Sequence, residues 1–223
     1  MRQPLFKRLL SYVYDVGIES RTSDVNPTID LYLVKGRYQL CTANCVYSFD
    51  DLYDNFFKAF KAVDLKKHNP QSILVLGLGL GSIPFMLENN FGHRAFYTMV
   101  ELDEEIIDLA NKYVLDELDS GIEVILADAC TFMQTNERKF DLICSDVFVD
   151  DQIPNSLQTE GYLEDLKRAL SPNGLLMYNR LYRTLKDREA TEKFYLDRFQ
   201  REFPNATYLD VLGNWILMNK KAD

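Results

Sequence analysis

Ser72-Ile73-Leu74-Val75-Leu76-Gly77-Leu78-Gly79-Leu80-Gly81-Ser82 passes without interruption from an apolar run into alternating glycines. A short, wholly apolar run that ends in glycines has the character of a strand buried on both faces. The glycines then let the backbone turn tightly and approach a ligand closely. The following residues read as a helix, with Pro84 accommodated in the first turn, where no intrahelical N–H is required. A helix N-terminus above such a turn offers free N–H groups to an anion or polar ligand. Gly77, Leu78, Gly79 and Gly81 are therefore candidate ligand-binding positions. The competing reading of this turn is a tight strand–helix connection with no ligand.

Downstream of this turn the strand–helix unit repeats. Ala95 to Val100, Ile122 to Ala127, Phe140 to Cys144 and Gly174 to Tyr178 share the buried-strand character. Amphipathic helices are expected between them. One starts at Asp103 with Ile106, Ile107, Ala110 and Tyr113 on one face. Another runs from about Thr159 through Tyr162, Leu163, Leu166 and Ala169, and a third places Leu196, Phe199 and Phe203 together before Pro204. Such alternation demands a mostly parallel sheet with helices on both faces. The tail, Ala206 to Val211 and Asn214 to Met218, reads as an antiparallel hairpin.

Upstream, residues 1–70 form a different unit, a small β-hairpin cap with a linking helix, ahead of a ligand-binding domain at 71–223. Tyr12 to Tyr14, Ile29 to Val34 and Arg37 to Thr42 are strand-like, Glu19 to Thr28 reads as a loop, and Asp50-Asp51 opens a helix carrying Leu52, Phe56, Phe57, Phe60 and Val63.

The chain has 223 residues, 47% hydrophobic and 26% charged, which excludes wholesale disorder, collagen and coiled coil. Its 25 basic and 34 acidic residues give a net charge of −9, which repels phosphate backbones, so no nucleic-acid partner is expected. Four scattered cysteines, Cys41, Cys45, Cys130 and Cys144, with two histidines fit free thiols in the cytoplasm and no metal site. No stretch approaches the ~18 apolar residues of a membrane span, and the start lacks the apolar core of a signal peptide.

Three carboxylates close successive strands. Glu101 stands 24 residues after Gly77, where a carboxylate can accept hydrogen bonds from ribose hydroxyls. Asp128 follows the next strand and reads equally as an adenine contact or a helix cap. Asp146 closes the strand after that, at the sheet edge where ligands bind in such folds. The sixth position of a dinucleotide G-x-G-x-x-G is Ser82 here, which disfavours a nicotinamide cofactor, and no Gly-Lys-Ser/Thr follows, which excludes a phosphate-binding P-loop.

The glycine spacing and the terminal hairpin resemble the class I S-adenosylmethionine-dependent methyltransferase fold. That likeness implies a doubly wound, Rossmann-like seven-stranded α/β sheet of order 3-2-1-4-5-7-6. The resemblance narrows further to the spermidine synthase family, on Gly36-Arg37-Tyr38-Gln39-Leu40, Leu52-Tyr53-Asp54-Asn55-Phe56, Val100-Glu101-Leu102-Asp103, Asp128-Ala129, Phe140 to Asp146 and Ala169 to Gly174. It implies a nucleoside held by Gln39, Glu101-Leu102 and Asp128-Ala129, a substrate bordered by Tyr53, and Asp146 as the catalytic carboxylate. Asp150 would then hold a distal cation, against the plainer reading of a solvated loop. The sequence departs from the family where Leu80 replaces an aspartate of the glycine loop, where Asn55 replaces a glutamate, and across Asp146 to Pro154.

Those departures favour methyl transfer from S-adenosylmethionine to a small, amine-type acceptor. The alternatives are aminopropyl transfer from decarboxylated S-adenosylmethionine, as in polyamine synthesis, and a catalytically silent nucleoside-binding protein. The expected partner is a small molecule, with no membrane partner, and a homodimer is compatible with the reading.

Overall fold

The computed structural model describes residues 3–43, 46–149, 152–211 and 213–221. A short helix α1 (Leu5–Leu10) leads into strands β1 (Val16–Arg21), β2 (Ile29–Val34), β3 (Arg37–Cys41) and β4 (Val46–Ser48). These form an antiparallel four-stranded sheet in sequential order. Helices α2 (Asp54–Ala62) and α3 (Leu65–His68) then lead to β5 (Ser72–Leu76), α4 (Ser82–Asn89), β6 (Phe96–Glu101), α5 (Glu104–Tyr113), β7 (Gly121–Leu126), α6 (Ala129–Thr135) and β8 (Phe140–Ser145). The chain finishes with α7 (Glu160–Ala169), β9 (Leu170–Leu181), α8 (Leu185–Phe194), β10 (Thr207–Asp210) and β11 (Asn214–Met218).

The larger sheet has seven strands in the order β10-β11-β9-β8-β5-β6-β7, parallel except at the terminal hairpin. Numbered from β5, that is the expected 3-2-1-4-5-7-6 arrangement. Strand β5 is central, and Ile73, Leu74, Val75 and Leu76 are all fully buried because helices cover both faces. One core layer gathers Phe56, Phe60, Met86 and Leu142, the opposite one Leu74, Leu163, Leu166 and Phe199.

The helix boundaries follow local chemistry. The Asp103 carboxylate accepts the Glu105 N–H and starts α5, and the Thr159 hydroxyl accepts the Tyr162 N–H and starts α7. Tyr162, Leu163, Leu166 and Ala169 are buried as their spacing predicts. The last helical stretch differs. A wider turn at Tyr195–Phe199 shifts the helical phase, so Phe194, Tyr195, Phe199 and Phe203 face inward and Leu196 is exposed.

The N-terminal region holds more regular structure than expected. Tyr12, Val13 and Tyr14 are exposed residues of a turn after α1, not a strand. The first strand is instead Val16–Arg21, which takes in Glu19 and Ser20 from the expected loop and pairs with β2. Alternation buries Ile29, Leu31 and Leu40 of this sheet against Ile106, Leu109, Tyr113 and Leu80 of the larger unit. The smaller sheet thus roofs the end of the larger one. Among the described residues no helix is long and apolar enough to cross a membrane.

Candidate functional site

Parallel strands deliver their following loops to one edge of the sheet. Here the carboxyl ends of β5, β6, β7, β8 and β9 face the roof formed by Val25, Asn26, Val46, Tyr47 and Ser48. Between them lies an open cleft lined by residues of both sheets. The roof is tied down by polar contacts. The Tyr47 hydroxyl donates to the Phe148 carbonyl at 3.3 Å, and the Ser48 and Ser82 hydroxyls pair at 2.6 Å, where Ser82 also accepts the Phe49 N–H.

Gly77 ends β5 with φ +86°, and a Cβ there would stand 2.4 Å from the Asp146 carbonyl oxygen. Only glycine permits the ends of β5 and β8 to approach so closely. Gly77 and Leu78 line the cleft with Gly79, whereas Gly81 does not; it caps α4 with φ +84° against Leu115. Leu80 also points away from the cleft. Its side chain is fully buried among Ile29, Leu31 and Ile106 under the roof. The leucine at this position therefore changes the packing between the two units and leaves the charge of the cleft untouched.

Glu101 lines the cleft at the end of β6, and both of its carboxylate oxygens are engaged. One accepts the N–H groups of Leu78 and Gly79 at 3.1 and 3.4 Å, the other those of Leu102 and Asp103 at 2.8 and 3.2 Å. Burial raises its pKa against the lowering effect of these four donors. Leu102, Asp128 and Ala129 line the same half of the cleft. Asp128 is demonstrably a helix cap, since Oδ1 accepts the Thr131 N–H at 2.9 Å, and it borders the cleft as well.

Asp146 sits across β5 from Glu101. Its Oδ1 accepts the Asn179 side-chain amide at 2.8 Å, and its carboxylate is also hydrogen-bonded to the Tyr53 side chain. Burial pushes its pKa up to about 6 despite these two partners. A carboxylate poised there holds a cation or takes a proton near neutral pH. The ladder continues, because Asn179 Oδ1 accepts the Asn214 amide at 2.9 Å.

Nine of the residues expected from the sequence converge on this cleft: Tyr53, Gly77, Leu78, Gly79, Glu101, Leu102, Asp128, Ala129 and Asp146. Gln39 does not reach it. It lies on β3 opposite Tyr32, on a strand whose neighbour Leu40 packs into the core. Asp150 lies outside the described residues. The sequence reading passed over Asn26, Asn179, Arg183 and Asn214, all cleft residues. Asn179 was recoverable, since it breaks the apolar run Leu175 to Tyr178 at the carboxyl end of a parallel strand.

The sequence model described as spermine/spermidine synthase domain matches residues 60–206. A polyamine aminopropyltransferase of Vibrio vulnificus is 28% identical over 149 residues, 66% of this chain and 45% of that protein. An eEF1A lysine and N-terminal methyltransferase of Danio rerio is 32% identical over 148 residues, 62% of this chain and 21% of that protein. The chain thus spans less than half the length of each of these two relatives. In fold, the spermidine synthase of Thermotoga maritima superposes with a TM-score of 0.69 at 19% identity, over 93% of this chain and 74% of that one.

Proposed function

The chain belongs to the spermine/spermidine synthase domain family, and from that premise we propose that it is a transferase moving an aminopropyl group from decarboxylated S-adenosylmethionine to an amine. The observation that carries this reading is the Asp146 carboxylate, half-buried, raised to about 6 and facing the same cleft as Glu101. In the reaction the acceptor nitrogen attacks the propyl carbon bound to the sulfonium. The C–N bond forms as the C–S bond breaks, the electron pair returns to sulfur, and methylthioadenosine leaves. Asp146 orients the amine and takes its proton, while the cleft aligns the two reactants, where most of the acceleration of such displacements arises.

Methyl transfer from intact S-adenosylmethionine, the preference drawn from sequence, is the second reading. It rested on Leu80, Asn55 and the Asp146 to Pro154 run, with glycine-loop N–H groups to meet the donor's carboxylate. The glycine loop does not support it in the folded protein. Leu80 does not face the cleft, so it removes no anion from it. The Leu78 and Gly79 N–H groups, which would meet the carboxylate of S-adenosylmethionine, already donate to Glu101. No described basic residue lines the half that holds Glu101 and Asp128, so a donor carboxylate is disfavoured there and an unshared ammonium is favoured. The methyltransferase relative keeps the second reading in view, and the acceptors in its name, a lysine and an N-terminus, are amines too.

Competition binding against methylthioadenosine tests the reading. The decarboxylated form should bind at least tenfold more tightly than S-adenosylmethionine, a difference of about 1.4 kcal/mol. Equal affinities, or a preference for S-adenosylmethionine, would favour methyl transfer.

A further inference from the structure

The cleft divides along β5. Glu101 and Asp128 belong to the β6–β7 half, while Asp146, Asn179 and Asn214 belong to the β8–β9–β11 half. If the nucleoside occupies the first half, the acceptor meets the second. That half has an ordered wall. Asp146 accepts from Asn179, Asn179 accepts from Asn214, and the Asn214 Oδ1 is buried with no hydrogen-bond partner. Beyond Asn214 the chain turns at Gly213, whose φ is +95°, and the Arg183 side chain lies directly against that turn. A Cβ on Gly213 would stand 2.8 Å from Arg183 Cγ. Arg183 lines the cleft and forms no ion pair with any described residue. Among the described lining residues it is the only basic one.

Read outward, this wall presents an anion, then two uncharged amides with one unused acceptor, then a cation. A diamine suits it poorly. Its reacting nitrogen would sit at Asp146, but its second ammonium would run toward a guanidinium, with no second described carboxylate in that half to offset the repulsion. A molecule with an amine at one end and a carboxylate at the other matches the wall at both ends. The amine donates to Asp146, and the carboxylate meets the guanidinium, whose fork of donors fits a planar carboxylate.

We propose that the acceptor is an ω-amino carboxylate rather than a diamine, with Arg183 as the residue that selects it. This deepens the proposed function and rests on it. The chemistry is unchanged: the new C–N bond forms at the amine, methylthioadenosine leaves, and the acceptor's carboxylate takes no part.

The test uses the full chain saturated with methylthioadenosine and titrates 5-aminopentanoate and 1,5-diaminopentane, which match in length, by calorimetry. The wild type should bind the amino acid at least tenfold more tightly. Arg183→Gln should erase that preference, and Arg183→Glu should reverse it. Both variants alter an exposed side chain, and retained methylthioadenosine binding checks that each is folded. A wild-type preference for the diamine, or a ratio unchanged in Arg183→Glu, overturns the inference. Loss of S-adenosylmethionine affinity in Arg183→Gln without a change in that ratio also overturns it, by assigning the guanidinium to the donor. Failure of methylthioadenosine itself to bind the wild type overturns the proposed function, and the inference with it.

Discussion

Two carboxylates at equivalent strand ends come to different uses because of what surrounds them. Glu101 spends its oxygens on four backbone N–H groups and fixes the shape of the glycine loop. Asp146 has two side-chain partners and burial that works against ionisation, which leaves it half-poised at about 6. The direction of its pH effect follows from that sign. Below about pH 6 the group carries a proton and can neither hold the acceptor's ammonium nor take the proton whose loss makes the nitrogen a nucleophile. The profile of kcat/KM should therefore steepen by a further tenfold per pH unit below about 6, beyond any slope from the amine itself. Asp146→Asn should lower kcat/KM roughly 10²–10⁴-fold and abolish the added steepness. A variant that keeps the steeper limb would assign it to another group.

At the scale of elements, the segment joining the roof to α2 holds a non-glycine residue in the left-handed region. Asp50 adopts a φ of +41° in the single helical turn Asp50–Leu52, and its side chain is buried. Its Oδ2 accepts the Tyr38 N–H at 2.9 Å, while Oδ1 has no partner. Burial raises its pKa to about 7, with Asp51 and Glu117 adding to the rise and Arg37 opposing it. For a carboxylate whose folded pKa lies above its unfolded value, the stabilising form is the protonated one. Its contribution is complete below about pH 4 and is lost as pH rises to 7.

Asp50→Asn keeps the left-handed backbone, which asparagine tolerates, and removes the charge. The variant should match the wild type at pH 3 and gain on the order of 2–4 kcal/mol by pH 8, read from thermal or denaturant unfolding. A gain that does not vary with pH would refute the assignment.

Elements also show what was legible in the sequence. The parallel strands were, because burial on both faces leaves an unbroken apolar run such as Ile73 to Leu76. The β1 strand was not. Its pattern Val16-Gly17-Ile18-Glu19-Ser20-Arg21 is polar because Glu19 and Arg21 answer Lys112, Tyr113 and Glu105 across the interface. Those partners lie more than 80 residues away, and no local pattern reveals them.

The same limit applies to the site. Glycine loop and strand-end carboxylates are signalled locally, so Gly77, Glu101 and Asp146 could be named. The direction of the Leu80 side chain could not. It depends on the roof that covers it, and reading it as a cleft residue contributed to the preference for methyl transfer.

For the whole molecule, function depends on the join between the two sheets. The large sheet supplies the carboxyl edge, and the small sheet closes it with Asn26, Tyr47 and Ser48, turning an open edge into a cleft. The central claim is that a nucleoside sulfonium is held there and gives its aminopropyl group to an amine. Mass spectrometry of the nucleoside released after incubation with a panel of amines tests this most directly. The protein would be offered decarboxylated S-adenosylmethionine and S-adenosylmethionine in parallel. The account predicts methylthioadenosine, together with an acceptor heavier by one aminopropyl group, from the decarboxylated donor. S-adenosylhomocysteine with a methylated acceptor, and no methylthioadenosine, would contradict it.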